Sequence, residues 1–180
     1  MKKTDFYISP IGLILLESDG ESLIRLDFTD ETCASELKSS SKELLPKETL
    51  EVFSETKRWL DIYFSGRKPD FTPPLSMKTT AFRKAVWKIM LKIPYGHTMT
   101  YGEIADKIAK QKNIARMSAQ AVGGAVAHNP VSLIIPCHRV VGTNGSLTGY
   151  AGGIDKKIKL LTMEKADMSS FFIPKKGTAL

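Results

Sequence analysis

The chain lacks the features that are typical of disulfide-rich, membrane-spanning or secreted proteins. It has only two cysteines in 180 residues, too few for a disulfide framework, which is typical of a reduced cytosolic protein. No window approaches the ~18 to 20 consecutive apolar residues that cross a bilayer. The N-terminal residues also lack the apolar run of a signal peptide. With 42% hydrophobic and 25% charged residues, we expect a globular, cytoplasmic protein without membrane association.

Acidic residues are scarce in the second part of the chain. Residues 1–75 carry 10 Lys and Arg against 14 Asp and Glu, a net charge of −4, whereas residues 76–180 carry 16 against 5, a net charge of +11. Such an asymmetry indicates two functional units, of which the second faces a polyanion. The alternative is that surface lysines only keep the protein in solution. We favour nucleic acid, because so few acids accompany the basic residues.

The first segment contains three strand-like runs separated by turn signals. The runs Phe6–Ile8, Gly12–Leu16 and Leu23–Phe28 predict an antiparallel meander. Residues 31–45 are polar and predict a loop or a short helix. The apolar spacing from Glu48 to Phe64 roughly fits one helix.

Residues 68–74 are rich in proline and polar side chains, which predicts an extended linker and a domain boundary. We therefore expect an α+β protein. Residues 1–75 form a small α/β domain of antiparallel strands plus a helix. Residues 76–165 form a mainly helical DNA-binding domain, and residues 166–180 form a loosely attached tail in which residues 171–173 could dock locally.

The second segment predicts helices over residues 80–91 and 155–165, and between them two short helices. Thr100 and Glu103 have the spacing of a capping box at the start of the first short helix. The second, over about residues 115–127, has unusually small side chains. Two short helices joined by a tight turn in a basic domain are typical of a helix-turn-helix. Glycine is unfavourable inside a helix, so the pair Gly123-Gly124 indicates either a partner close to the backbone or tight packing between helices.

The run Pro136-Cys137-His138-Arg139-Val140 follows an apolar stretch. A thiol reacts as its thiolate, and basic neighbours favour that form. A cysteine beside His and Arg at the end of a buried run therefore indicates a nucleophile on a rigid support. Taken alone the motif is weak, since such a cysteine can also be a small buried apolar residue.

Taken together, these motifs resemble the 6-O-alkylguanine-DNA alkyltransferases, also called methylated-DNA–protein-cysteine methyltransferases. The resemblance covers roughly residues 77–165, and the N-terminal segment is only loosely similar to the variable domain of that family. The resemblance rests on the following motifs: the short helix that begins near Tyr101, the small-residue helix over about residues 115–127, Asn129-Pro130, residues 135–141, residues 149–153 and Glu164.

The resemblance implies a catalytic group. Cys137 would attack the alkyl carbon of a flipped 6-O-alkylguanine and keep the alkyl group irreversibly, so that each molecule acts once. His138 would take the thiol proton through a bound water, and Glu164 would orient His138. Asn129 would support the Cys-bearing segment through side-chain hydrogen bonds.

The resemblance also implies how the base is held. Tyr101 would donate a hydrogen bond to the guanine and help to rotate its nucleotide out of the duplex, which is necessary because the target atom is inaccessible in a stacked helix. The backbone around Val140 and the loop formed by Tyr150, Ala151 and Gly152 would shape the alkyl pocket.

The expected partner is double-stranded DNA that contains alkylated guanine, bound through the minor groove by a monomeric protein. Many members of the family have an arginine that fills the gap left by the flipped base, and this sequence has Gln120 there. We expect Gln120 to be a weaker finger, without charge or guanidinium stacking. The residues expected to contact DNA are Arg116, Gln120, Ala121, Gly123, Gly124, Ala125 and Arg139.

No cofactor or metal is expected. Cys33 stands alone without a nearby His, so the structural zinc of some family members is not expected, and Cys33 would be a structural or surface residue.

The lesion range would extend from 6-O-methylguanine to 4-O-methylthymine. Two alternatives remain, a DNA-binding module without transfer chemistry and a general cysteine hydrolase.

Overall fold

The computed structural model describes residues 2–30, 32, 35 and 50–174. Cys33 and most of the polar stretch 31–45 lie outside the described residues. The chain divides into two compact units. The first contains the residues up to Met77 together with Pro130–Ser132, and the second contains the remaining residues from Lys78 onward. The α+β class predicted from the sequence is confirmed.

Three antiparallel strands in the order β1-β2-β3 form the sheet of the first unit. The strands are β1 (Lys3–Ser9), β2 (Gly12–Ser18) and β3 (Leu23–Thr29). Each is longer than its apolar run by one or more residues. A bulge at Glu17/Ser18 shifts the pairing between β2 and β3. The meander read from the turn signals is therefore the architecture observed.

Helix α1 (Glu51–Phe64) packs on this sheet. Two contacts join the helix to β1. The hydroxyl of Tyr7 donates to Asp61 Oδ1 at 2.8 Å, and Lys57 Nζ lies 2.6 Å from Asp5 Oδ2. The buried face of α1 consists of Val52, Phe53, Thr56, Trp59, Leu60 and Tyr63.

The short segment Pro130–Ser132 belongs to the first unit, although it lies far along the chain. The N–H of Leu26 donates to the carbonyl of Pro130 at 2.9 Å, and the N–H of Ser132 donates to the carbonyl of Leu26 at 2.7 Å. The hydroxyl of Ser132 also donates to Asp27 Oδ1 at 2.9 Å. These three bonds hold Pro130–Ser132 on the sheet of the first unit.

Three helices form the body of the second unit: α2 (Ala81–Met90), α3 (Tyr101–Lys112) and α4 (Ala119–Ala127). Thr100 and Glu103 form the predicted capping box at the start of α3. The indole N–H of Trp87 donates to the carbonyl of Ala125 at 2.9 Å, which ties α2 to α4.

The helix predicted from residue 115 begins four residues later. The side chain of Ser118 accepts a hydrogen bond from the N–H of Ala121 at 3.3 Å and caps α4. Ser is among the strongest N-cap residues, so its side chain sets the helix start. Arg116 therefore lies in the exposed connection between α3 and α4 rather than one turn earlier on the same helix.

A short parallel pair positions the start of α3. Strand β4 (Met99–Thr100) pairs with β5 (Val140–Val141), with Met99 opposite Val140. Because Tyr101 follows β4 and Cys137–Arg139 precede β5 as a 3-10 turn, this pairing brings the first residue of α3 beside the cysteine-bearing turn.

Helix α5 (Ile154–Met163) leads directly to Glu164. After it, residues 166–172 fold back, and Phe172 forms a parallel bridge with Ser146. This bridge is the local docking of residues 171–173 that the sequence allowed. None of the described helices is long and apolar enough to cross a bilayer.

Candidate functional site

Cys137 opens the 3-10 turn and has an exposed fraction of only 5%. It forms no disulfide. Its N–H donates to the carbonyl of Ile135 at 2.8 Å. The side-chain amide of Asn129 donates to the same carbonyl at 2.7 Å. The carbonyl of Ile135 thus accepts from both the Cys137 backbone and the Asn129 side chain.

His138 and Glu164 form a buried pair. The distance between His138 Nε2 and Glu164 Oε1 is 2.7 Å, and neither side chain is exposed to solvent. Burial lowers the pKa of His138, and its effect outweighs the opposing influence of Glu164. The imidazole is therefore neutral near pH 7. With Nε2–H directed at the carboxylate, Nδ1 carries the basic lone pair.

The carboxylate of Glu164 accepts hydrogen bonds from three residues. Besides His138, it accepts from Arg139 Nε at 2.8 Å, from Arg139 Nη2 at 3.0 Å and from the backbone N–H of Gly96 at 3.0 Å. Burial alone would raise the pKa of Glu164, but its bonds to His138 and Arg139 hold that pKa well below its usual range. The group is thus a fixed negative charge.

Gly96 has two properties that suit this position. Its φ is +75°, and a Cβ added there would lie 2.6 Å from the carbonyl oxygen of Glu164. Only glycine combines that backbone conformation with so close an approach. Sequence reasoning gave Gly96 no part in the site, so this role was missed.

Arg139 is in the interior rather than on a DNA-facing surface. Its Nη1 donates to the carbonyl of Ile93 at 2.8 Å, and its other donors bind Glu164. The guanidinium also lies 5.6 Å from the ring centroid of Tyr95. The assignment of Arg139 to DNA binding is corrected on this ground, since the exposed fraction of the residue is only 9%.

Tyr101 lies at the start of α3 and is buried. Its hydroxyl makes long contacts of 3.4 Å and 3.5 Å with the carbonyl oxygens of Thr148 and Gly149. Burial raises the pKa of Tyr101 to about 12, and the charge of Cys137 acts in the same direction. The hydroxyl is therefore protonated at neutral pH and can donate a hydrogen bond.

Lys157 is a site residue that sequence reasoning missed. It is fully buried in α5, and its ammonium donates to the carbonyls of Val140 at 2.6 Å and Thr148 at 2.8 Å. Burial lowers the pKa of Lys157 to about 8, against the influence of Cys137. One signal was available, because Lys157 shares a helical face with Leu160 and Leu161.

The predicted pocket loop approaches His138. The ring of Tyr150 lies edge-on to the imidazole, with centroids 6.4 Å apart and an interplanar angle of 80°. The carbonyl of Tyr150 accepts from the N–H of Gly153 at 2.9 Å, which closes a turn through Ala151 and Gly152. Ala151 is exposed and Gly152 is half-buried. The structure thus brings Tyr150 to the His138 side of the site.

The residues of α4 divide between two faces. Gln120 and Ala121 are exposed, and a Cβ added to Gly124 would meet no atom within 4 Å. Gly123 and Ala125 are buried. Their expected contact with DNA is therefore corrected, because their small size serves packing within the unit. Tight packing between helices therefore applies to buried Gly123, and the open space at Gly124 leaves room for a partner.

The described residues contain no group of three or more His, Cys, Asp or Glu side chains that could hold a metal ion. What the site offers is a thiol, a neutral imidazole held by a carboxylate, a protonated phenol and a buried amine. This set is suited to nucleophilic attack by sulfur with proton transfer to and from nearby groups.

Two family models match the chain. Residues 81–166 match the DNA-binding domain of 6-O-methylguanine DNA methyltransferase, and residues 2–77 match its ribonuclease-like domain. Among curated relatives, methylated-DNA–protein-cysteine methyltransferase of Haemophilus influenzae is 41% identical over 161 residues, which cover 89% of this chain and 84% of that protein. The protein of the same name from Methanosarcina acetivorans is 43% identical over 87% of this chain and 94% of its own.

Solved structures agree with these matches. The 6-O-methylguanine methyltransferase of Mycobacterium tuberculosis is 40% identical with a TM-score of 0.73, over 92% of this chain and 93% of that one. A structure of the M. tuberculosis protein OGT in complex with DNA is 41% identical with a TM-score of 0.72, over 89% of this chain and 91% of that one.

Proposed function

The chain belongs to the 6-O-methylguanine-DNA methyltransferase family, and from that membership we propose how its residues carry out the reaction. It repairs DNA by transferring an alkyl group from the damaged base to a cysteine of its own. The observation that supports Cys137 as the acceptor is its place at the start of a buried turn next to the His138–Glu164 pair.

The first step activates the thiol. A bound water carries the Cys137 proton to Nδ1 of His138, which is neutral and holds its lone pair there. Glu164 fixes the tautomer through Nε2–H and stabilises the imidazolium that forms. Arg139 and Gly96 keep the carboxylate ionised and in place.

The second step transfers the methyl group. A bond forms between Cys137 Sγ and the methyl carbon while the bond between that carbon and O6 of the guanine breaks. Tyr101 donates a hydrogen bond to the departing guanine, whose negative charge it thereby offsets. The proton that His138 took from Cys137 is then passed on to the guanine, so His138 is neutral again and the products are S-methylcysteine and guanine. Nothing removes the methyl group, so each molecule acts once.

The base reaches Cys137 only when it leaves the duplex. We propose that α4 enters the minor groove, which is about 6 Å wide, with Gln120 in the gap left by the flipped base. The exposed residues Arg116, Gln120 and Ala121 support this mode, as does the open space around the Cβ position of half-buried Gly124. Affinity would come from phosphate contacts of the basic residues from 76 to 165 and would carry little sequence preference.

We propose further that a single copy in the cytoplasm is sufficient, because one chain supplies every side chain of the site. Residues 1–75 act as a supporting domain, and 4-O-methylthymine is a second substrate. Val140 contributes its backbone to the pocket, and the loop of Tyr150, Ala151 and Gly152 forms the pocket wall. The non-catalytic alternative is not favoured, since the curated relatives are named as transferases.

The test is a titration of the protein with duplex DNA that carries a radiolabelled methyl group on O6 of one guanine. Label should move to the protein until one equivalent is bound and then stop. Cys137→Ser should accept none while it still binds the duplex. Turnover beyond one equivalent, or full labelling of Cys137→Ser, would overturn the proposal.

A further inference from the structure

After α5, the segment Phe171–Ile173 pairs through one bridge residue, Phe172, as a minimal strand against the loop that follows β5. The N–H of Phe172 donates to the carbonyl of Gly145 at 3.2 Å, and the N–H of Leu147 donates to the carbonyl of Phe172 at 2.8 Å. These two bonds give the parallel bridge between Ser146 and Phe172. They hold the loop through its backbone, independently of side-chain identity.

Side chains reinforce the same contact. Val141, Leu147, Leu161 and Ala166 form a buried apolar cluster, against which Ile158, Met168 and Phe171 pack. The two backbones approach so closely at Gly145 that an added Cβ would lie 2.2 Å from the carbonyl oxygen of Ser170. Gly145 also has a φ of +83°. The loop is therefore shaped to receive the strand.

The loop held by this strand connects two carbonyls of the site. Val140 lies on one side of the loop and Thr148 on the other, and the ammonium of Lys157 binds both carbonyls. Thr148 also contacts the Tyr101 hydroxyl. Because Thr148 directly follows Leu147, a movement of the loop would shift Thr148 and the residues 149–152 after it.

We propose that the segment Phe171–Ile173 is a positioning element that sets the width of the alkyl pocket. This inference rests on the proposed function, in which residues 150–152 form the pocket wall. With the strand docked, the wall stays close to Cys137 and suits a methyl group. Without it, the wall moves outward, so a methyl group is held less well and a benzyl group is accepted more readily.

Two variants of Phe172 distinguish the contribution of its backbone N–H from that of its side chain. Phe172→Pro removes the N–H that donates to Gly145, and Phe171 already has φ −93° and ψ 144°, an extended conformation that a following proline accepts. Phe172→Ala keeps the N–H and removes a side chain that is 49% exposed. Truncation after Ser170 removes the bond to Gly145 and also the bond from the Leu147 N–H to the Phe172 carbonyl, and truncation after Pro174 is its control.

The measurement is the single-turnover rate of transfer from duplexes with 6-O-methylguanine and with 6-O-benzylguanine. Phe172→Pro and truncation after Ser170 should lower the methyl-to-benzyl rate ratio by about tenfold, the size of effect that one small group in a pocket can produce. Phe172→Ala and truncation after Pro174 should keep the ratio of the parent protein.

An unchanged ratio, or an equal loss of both rates in the two strand-breaking variants, would contradict the role of the strand. The parent protein is measured first with the methylated duplex. Failure of the parent to accept the methyl group would refute the proposed function itself, whereas transfer by the parent with an unchanged ratio in the variants refutes only the role of residues 171–173.

Discussion

His138 and Glu164 are 26 positions apart in sequence, and their side chains meet at 2.7 Å in the interior of the second unit. The contact matters because each group determines the state of the other. A carboxylate that accepts bonds from His138, Arg139 and Gly96 stays ionised, and it directs Nε2–H of the imidazole toward itself. The remaining ring nitrogen is then a base.

Glu164→Gln should slow methyl transfer by about 100-fold or more, which is the usual contribution of general-base catalysis. The neutral amide neither fixes the tautomer of His138 nor stabilises the imidazolium that forms on it. The measurement is the single-turnover rate with a methylated duplex. Glu51→Gln is the matched control, since Glu51 is exposed in the first turn of α1. Equal rates for the two variants would show that Glu164 has no part in activation.

Gly96→Ala should destabilise the protein more than the same change at a glycine with open surroundings. Gly66 has a φ of +78° but no atom within 4 Å of an added Cβ, whereas Gly96 faces the carbonyl oxygen of Glu164 at 2.6 Å. We expect Gly66→Ala to cost about 1 kcal/mol for its backbone conformation alone. Gly96→Ala should cost at least about 2 kcal/mol more, since the clash is with backbone.

Urea denaturation of the two glycine variants and the parent gives the comparison. Gly96→Ala should also slow methyl transfer, because the displaced carbonyl belongs to the residue that orients His138. Gly66→Ala should not. If the free energy of unfolding falls by the same amount in both variants, the close packing at Gly96 contributes nothing to stability.

Much of the fold follows from local sequence, and the reason is visible at the start of α3. Thr100 and Glu103 satisfy each other's backbone within four residues, so their spacing alone predicts the cap. The same holds for the three strands, whose turn signals lie between them. The start of α4 was misplaced because Ala115 and Met117 continue the apolar pattern of the helix on the N-terminal side of its cap, Ser118.

The site was only partly predictable. Cys137, His138, Asn129 and Glu164 came from a motif resemblance, and the structure brings them together. Gly96 could not be found in this way, since its partner Glu164 is 68 residues away and nothing local marks the pair. Lys157 shares a helical face with Leu160 and Leu161, but it stands next to Lys156 in a basic helix, so that signal alone did not show that its ammonium is buried.

Lys157 gives a prediction about pH. Its pKa is about 8 in the folded protein and near 10.4 in an unfolded chain. Between these values the unfolded chain holds more protons on this residue, so the free energy of unfolding rises with pH. We expect the stability of the parent relative to Lys157→Met to increase by about 2 kcal/mol from pH 7.5 to pH 10, at 1.36 kcal/mol per pKa unit.

Comparison with Lys157→Met isolates this residue, because the other titrating groups, including Tyr101 and Tyr7 with their raised pKa values, are common to both proteins. The curves come from urea denaturation at a series of pH values. Parallel curves for the two proteins would mean that Lys157 keeps an ordinary pKa in the fold.

Gln120→Ala should reduce both the affinity for a methylated duplex and the transfer rate, by about tenfold for the loss of one contact in the gap left by the base. Gln120→Arg should restore or exceed the parent rate, because guanidinium adds charge and stacking. Gln111→Ala is the control, since Gln111 is also exposed, near the end of α3. Equal effects of the two alanine variants would contradict a finger role for Gln120.

The identity of the methylated residue tests the central claim most directly. The protein is mixed with an equimolar amount of duplex that carries 6-O-methylguanine and is then digested. The masses of its peptides are measured by mass spectrometry. We predict the added mass of one methyl group on the peptide that contains Cys137, with Cys33 unmodified and guanine restored in the DNA. A methyl group on Cys33, or repaired DNA with both cysteines unmodified, would contradict the account.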